Sequence, residues 1–417
     1  MRVLYFADIR FPLERANGIQ TIETCHALAR RGHFVGLVVR PDTQTPSRNP
    51  FEFYGLPLLA RMSIEYAPVT GPPFARRAGY LAFAIGRLLG ASRADAVITR
   101  DLGVAAALLR VPRRLRPPVV YESHGYAPDV AAALPGMIPA ANAPTATKVA
   151  RLERREAFVW RNAEGYVTIT AGLADDLKQR LGERGTLAVV PDGTRINADQ
   201  GDGTRINADQ GHGTRIGADQ RHGTRVDEDI PGPVVYAGHL YAWKGVDVLI
   251  DALGQLDGVR GVIVGGYEKE PDLARLRERA ARLGISERVT FTGLVPPSAV
   301  AAYLRAARVL VLPNPASAIS TRFTSPLKLF EYMAAGRPIV ASDLPSIREV
   351  LRHEENALLV EPGNPTALAA GVRRLLEDRA LADRLAQAAM TAVQDYSWDR
   401  RAERLEALLQ QVTHSTR

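Results

Sequence analysis

Cysteine is all but missing from this chain: Cys25 stands alone among 417 residues. That excludes an intramolecular disulfide framework and leaves no zinc cluster to build on thiolates. No run approaches the ~20 apolar residues that span a bilayer. Asp8 and Arg10 interrupt the apolar N-terminus almost at once, so it does not read as a secretory leader, and a cytoplasmic protein is the expectation. Lysine is scarce while arginine is abundant, and the formal net charge is +8. Such a balance suits phosphorylated small molecules or anionic lipid as partners. Nucleic acid is not expected, because no recognition motif or aromatic-interleaved basic patch occurs. What is present is ordinary for a globular protein, 46% hydrophobic and 24% charged, with length enough for two cores.

One stretch concentrates the positive charge. Residues 72–93 mix Arg76, Arg77, Arg87 and Arg93 with Tyr80, Leu81, Phe83, Ile85, Leu88 and Leu89. A helix of that composition can lie on an anionic membrane surface. The same composition also describes a half-buried helix of a soluble domain, which is the commoner case.

Short apolar runs alternate with helical stretches. In the first half they are residues 2–7, 34–39, 96–99, 118–122, 165–170 and 187–191; in the second, 234–238, 261–266, 288–293, 309–313 and 338–342. Alternation of this kind predicts parallel sheets covered on both faces, that is, an α/β protein of two Rossmann-like doubly wound domains. The expected boundaries are residues 1–190, a linker 191–230, a second domain 231–395, and a C-terminal helix 396–417 long enough to cross back onto the first domain. Within the linker, residues 192–201 and 202–211 are identical, D-G-T-R-I-N-A-D-Q-G, with degenerate copies from His212 and His222. Each copy offers a single sizeable apolar residue, too little for a solenoid core. The acidic spacing is not that of a calcium loop. The block reads as an expanded linker without chemistry of its own.

The most informative segment is S-P-L-K-L-F-E-Y-M-A-A-G, residues 325–336. Ser325 suits an N-cap and Pro326 the first helical position, while Gly336 and Pro338 are stop signals. Leu327, Phe330 and Ala334 form the predicted buried stripe. Glu331 follows Leu327 by four residues and so leans toward that stripe, where an unpaired carboxylate is costly. Two vicinal ribose hydroxyls would satisfy both of its oxygens. The plainer account is a surface pair with Lys328.

Together with G-H-L-Y-A-W-K-G-V-D-V-L-I-D-A-L (238–253) and G-L-V-P-P-S (293–298), this segment resembles the retaining glycosyltransferases of family 4, which have the GT-B fold. The resemblance covers nearly the whole chain outside the repeats. It implies two domains facing across a cleft, with a nucleotide-sugar on the second and an acceptor on the first. By that resemblance Glu331 binds the ribose and Lys244 neutralises the donor diphosphate. Gly18 brings backbone close to the phosphates, and His124, in Y-E-S-H-G, faces the donor sugar. Gly238, His239, Ser325, Pro326, Leu327 and Lys328 line the donor site. Gly265 and Gly266 clear space for it, and Gly293 and Leu294 lie where backbone contacts the base. Arg100, beside Asp101 in I-T-R-D, is a candidate for phosphate or acceptor contact.

Two positions depart from the family pattern. Phe323 stands where a glutamate usually meets the donor sugar, and His239 where an arginine usually assists the lysine, with Arg322 a candidate substitute. Neither metal nor organic cofactor is implied; the nucleoside diphosphate-sugar is the donor substrate. A sugar or lipid-linked acceptor and cell-surface polysaccharide or glycolipid assembly would be typical. A nucleotide-sugar 2-epimerase on the same fold, or a nucleotide-sugar-binding protein without catalysis, are the alternatives.

Overall fold

The computed structural model describes residues 1–90, 94–137, 142–196, 232–266, 271–317, 320–321 and 327–414. The later repeat copies therefore lie outside the described residues, as do Arg322, Phe323, Ser325 and Pro326.

The first domain holds a seven-stranded parallel sheet. Its strands are β1 (Arg2–Arg10), β2 (Phe34–Arg40), β3 (Met62–Tyr66), β4 (Ala96–Thr99), β5 (Val119–Ser123), β6 (Gly165–Thr168) and β7 (Leu187–Val189). They are ordered β3-β2-β1-β4-β5-β6-β7. The second domain holds six more: β8 (Val234–Ala237), β9 (Gly261–Val264), β10 (Val289–Phe291), β11 (Val309–Leu312), β12 (Ile339–Ser342) and β13 (Leu358–Val360), ordered β10-β9-β8-β11-β12-β13. Central strands such as β4, β6, β11 and β12 are buried at every position, as helices on both faces require. The apolar-run reading missed β3 and β13. Both are edge strands; β3 carries exposed Ser63, and β13 has three residues.

Strand order reverses between β1 and β4 in one sheet and between β8 and β11 in the other. Loops diverging from the carboxyl ends of strands at such points open a crevice for ligands. Gly18, Arg100 and His124 follow β1, β4 and β5. Gly238, His239 and Lys244 follow β8, and Gly265 follows β9.

Two crossings join the domains. The chain leaves β7 through residues 190–196 and returns at Tyr396–Ser397, where Thr194 and Ser397 pair as an isolated bridge. Thr194 N–H donates to Tyr396 O at 2.9 Å. The final helix, Trp398–His414, packs Leu405, Leu408, Leu409 and Val412 into the same core as Ile22, Cys25 and Leu28 of helix Ala16–Arg30. A third contact comes from Glu349 of the second domain. Its two carboxylate oxygens accept from the N–H groups of Ala171 and Gly172, at 2.9 and 3.0 Å, at the start of helix Ala171–Leu181. The first repeat copy is thus more than spacer. Asp192 and Thr194 are buried, and Arg195 reaches Glu23 at 2.6 Å and the carbonyls of Tyr54 and Gly55.

Candidate functional site

The helix that begins the second-domain half of the site runs Leu327–Ala334, with Leu327, Phe330 and Ala334 buried as the stripe predicted. Leu327 packs into the first domain's core cluster, so it works as a domain contact. Gly336, at φ +65°, ends the segment in the left-handed region that glycine accepts without penalty.

Lys328 points back over β8. Its Nζ donates to the Tyr236 hydroxyl at 2.8 Å and lies 4.2 Å from that ring's centroid. The hydroxyl in turn donates to the His239 carbonyl at 2.7 Å. Gly238 must be glycine here: φ is +143°, and a Cβ would run into the Lys328 ammonium. A Cβ on Gly265 would strike the Gly238 carbonyl, so its small size serves the packing of β8 on β9. Lys244 sits on a short 3-10 turn, Ala242–Lys244, with its Nζ 3.6 Å from the Trp243 ring centroid. His239 stacks on Tyr241 at 5.2 Å.

The ammonium groups of Lys244 and Lys328 are like-charged neighbours. Burial pushes Lys328 down to about 7. Burial, and then the charge of Lys328, holds Lys244 well below the usual lysine range. His239 is pushed down to about 4 by burial, then by Lys328, Arg15 and Lys244, so it is neutral at pH 7. It therefore does not replace the family's arginine as a cation; Arg15, exposed at the start of helix Ala16–Arg30, is the cation that the structure brings near. The carboxylate that acts on Lys328 is Glu331, which is itself raised, by burial first and by Glu23, with Lys328 and Arg195 opposing. The Glu331 carboxylate makes no hydrogen bond to a described residue. Leu294 is 50% exposed beside Gly293, whose backbone pairs with Gly265.

The first-domain half is built differently. Gly18 lies in the first turn of helix Ala16–Arg30, where a Cβ would collide with the Leu13 carbonyl and the Tyr54 hydroxyl. His124 follows β5, and its Nε2 lies 2.6 Å from Oε1 of Glu122, which is fully buried in the strand. Glu122 also accepts from Gln20 Nε2 at 2.5 Å and from Arg401 Nη2 at 2.6 Å. Burial alone would raise the Glu122 carboxyl, but Arg401, His124 and Arg100 outweigh it and hold it well below the ordinary carboxylate range. His124 is itself lowered by burial and then by Arg100. Arg100 is engaged within the protein through one nitrogen, its Nη1 donating to Gln20 Oε1 at 2.6 Å. Asp101 caps helix Leu102–Leu108 and forks with Arg77. Glu122, His124 and Asp192 bring their donor atoms within 4.8 Å of one another. Both Glu122 oxygens are engaged by protein donors, and Arg401 supplies the positive charge, so the cluster is an ion-pair network.

Glu122 and Arg401 escaped the sequence reading, although both leave a signal. Glu122 is an acid inside an apolar strand. Arg401 lies three residues after Trp398 and four before Leu405, on the apolar stripe of its helix.

Residues 18–197 match the family described as Glycosyltransferase Family 4, and residues 232–378 match the glycosyl transferases group 1. The chain belongs to the family 4 glycosyltransferases. Among curated relatives, this family 4 chain is 36% identical over 176 residues to a phosphatidyl-myo-inositol mannosyltransferase of Mycobacterium leprae, covering 41% of this chain and 44% of the relative. It is 31% identical over 182 residues to a D-inositol 3-phosphate glycosyltransferase of Acidothermus cellulolyticus, covering 41% and 39%. The chain thus spans about two fifths of the length of the curated relatives it matches. Sucrose-phosphate synthase of Thermosynechococcus elongatus has the same fold, with a TM-score of 0.74, 18% identity and 99% of each chain covered. An Anabaena protein solved with UDP and glucose gives a TM-score of 0.68 at 18% identity, covering 98% and 99%. The fold of the family 4 chain is GT-B. Among the described residues, no helix is long and apolar enough to cross a membrane.

Proposed function

We propose that this protein moves a sugar from a nucleoside diphosphate-sugar to an acceptor hydroxyl, with retention at the anomeric carbon. The observation that carries the reading is the set of mutually repelling, half-buried cations at the carboxyl end of β8, Lys244 and Lys328, flanked by Arg15. Burying like charges together is unfavourable, and a diphosphate would reverse the sign of that interaction. The raised Glu331 carboxylate, free of hydrogen bonds to described residues, suits the ribose hydroxyls. Exposed Leu294 suits the face of the base.

In the proposed reaction the bond from anomeric carbon to diphosphate oxygen breaks, and its electron pair leaves on that oxygen. Lys244 and Lys328 stabilise the developing charge electrostatically. The acceptor oxygen bonds the same face of the sugar and passes its proton to the leaving diphosphate. Neutral His124 offers a ring nitrogen to a sugar hydroxyl. No cofactor or metal enters this scheme. The names of the relatives in Mycobacterium and Acidothermus support an anionic, inositol-containing or lipid-linked acceptor, as in glycolipid or polysaccharide assembly. The helix Pro73–Leu89 supports a peripheral membrane contact through Phe74, which is 84% exposed. Two of its arginines are spent within the protein, however: Arg77 on Asp8 and Asp101, and Arg87 on Glu65 at 2.8 Å.

The test is thermal unfolding against a panel of nucleoside diphosphates. A ligand at a hundred times its dissociation constant stabilises by ~2.7 kcal/mol. Stabilisation by one diphosphate, cut to about half in Glu331→Ala at the same ligand concentration, is the expected result; no response to any of them overturns the reading. Incubation with donor alone then separates transfer from epimerisation.

A further inference from the structure

Arg401 is the largest fully buried side chain of the described residues, at 1% exposure. A guanidinium cannot shed its charge, so such burial requires acceptors on every side. It has them. Nε donates to Thr24 Oγ1 at 3.0 Å, Nη1 to the carbonyls of Val190 and Pro191 at 2.8 Å each, and Nη2 to Glu122 Oε2 at 2.6 Å. Val190 and Pro191 begin the outgoing crossing between the domains. Arg401 itself begins the helix that follows the returning one. One side chain therefore ties both crossings to the carboxylate that holds His124.

We infer that Arg401 is a positioning residue for His124: by fixing Glu122 as an ionised, acceptor-only partner, it sets which ring nitrogen of His124 carries the hydrogen. An ionised carboxylate can only accept, so the hydrogen must sit on His124 Nε2, 2.6 Å from Glu122 Oε1. Nδ1 is left as the ring's acceptor. Without Arg401, Glu122 would be a buried carboxylate held only by Gln20 and His124. It would then take a proton and donate to Nε2, or draw a proton onto the ring as imidazolium; either change abolishes the neutral Nε2–H form. The other groups facing this cluster are Arg100, Asp192, Tyr5 and Cys25. The nearest further carboxylate, Asp192, is 3.9 Å from Arg401 Nη1, and its Oδ1 is buried without a hydrogen bond. The catalytic meaning of this positioning rests on the proposed role of His124 toward the donor sugar, whereas the positioning itself does not.

The experiment is long-range 1H–15N correlation on the full chain with labelled histidine at pH 7, with no ligand added, identifying the His124 signals by their loss in His124→Gln. Wild type should show the neutral Nε2–H tautomer. Arg401→Met should lose it as the main form, and Arg401→Lys, which keeps the cation, should retain it. An imidazolium or an Nδ1–H ring in wild type overturns the inference before any variant is made. An unchanged tautomer in folded Arg401→Met overturns it as well. Since no nucleotide is present, these results stand apart from the diphosphate test, so failure of one leaves the other readable.

Discussion

The two halves of the cleft solve the problem of buried charge in opposite ways. At the end of β5, Glu122, His124, Gln20, Arg100 and Arg401 satisfy one another through hydrogen bonds of 2.5–2.6 Å. At the end of β8, Lys244, Lys328 and His239 crowd together, and burial lowers all three. A closed network holds a side chain in place, whereas crowded like charges are relieved when an anion approaches. The first domain thus presents a fixed histidine and the second a cluster of like charges.

If that contrast is right, the same kind of substitution must act differently on the two sides. Arg401→Met should cost about 3–5 kcal/mol of stability, as expected when one partner of a buried ion pair is removed. Denaturant unfolding measures it, and a loss below ~1 kcal/mol would mean the network is weaker than its geometry implies. Lys328→Met should do the reverse, leaving stability unchanged or raised while weakening nucleoside diphosphate binding. A hydrogen bond to a charged group is worth about 1.5–3 kcal/mol, so the loss is roughly ten- to a hundredfold by calorimetry. A destabilised protein with intact affinity would put Lys328 on the structural side instead. Glu331→Ala should weaken the same binding by roughly tenfold without unfolding the protein; unchanged affinity would remove the ribose assignment.

A further effect concerns pH. Lys328 sits near 7 in the folded protein and near 10.4 when unfolded. Between those values the unfolded chain binds more protons, so stability of the ligand-free protein should rise with pH across that window. Lys328→Met should flatten the rise, and stability that falls over the same interval in wild type would contradict the lowered ammonium.

Much of this could be read from residue order. Runs such as V-L-V-L and I-V-A-S announced their buried strands, and Leu327, Phe330 and Ala334 announced the helix that carries Glu331. The same phase argument, applied to W-D-R-R-A-E-R-L, would have marked Arg401 as buried. It would not have named a partner, because Glu122 lies 279 residues away. Edge strand β3 escaped because an edge need not be apolar throughout, and β13 because its three residues make so short a run.

The sequence by itself determined the alternation of strand and helix, the two sheets and the carboxylate at Glu331, because those follow from the period of burial along a short stretch. Only the tertiary structure decided that His239 is neutral, that Arg100 meets Gln20 and that Arg401 governs the surroundings of His124. Those properties are sums over charges and dipoles from β1, β5, β8, the outgoing linker and the returning helix. Such sums exist only once both sheets and both crossings have packed together.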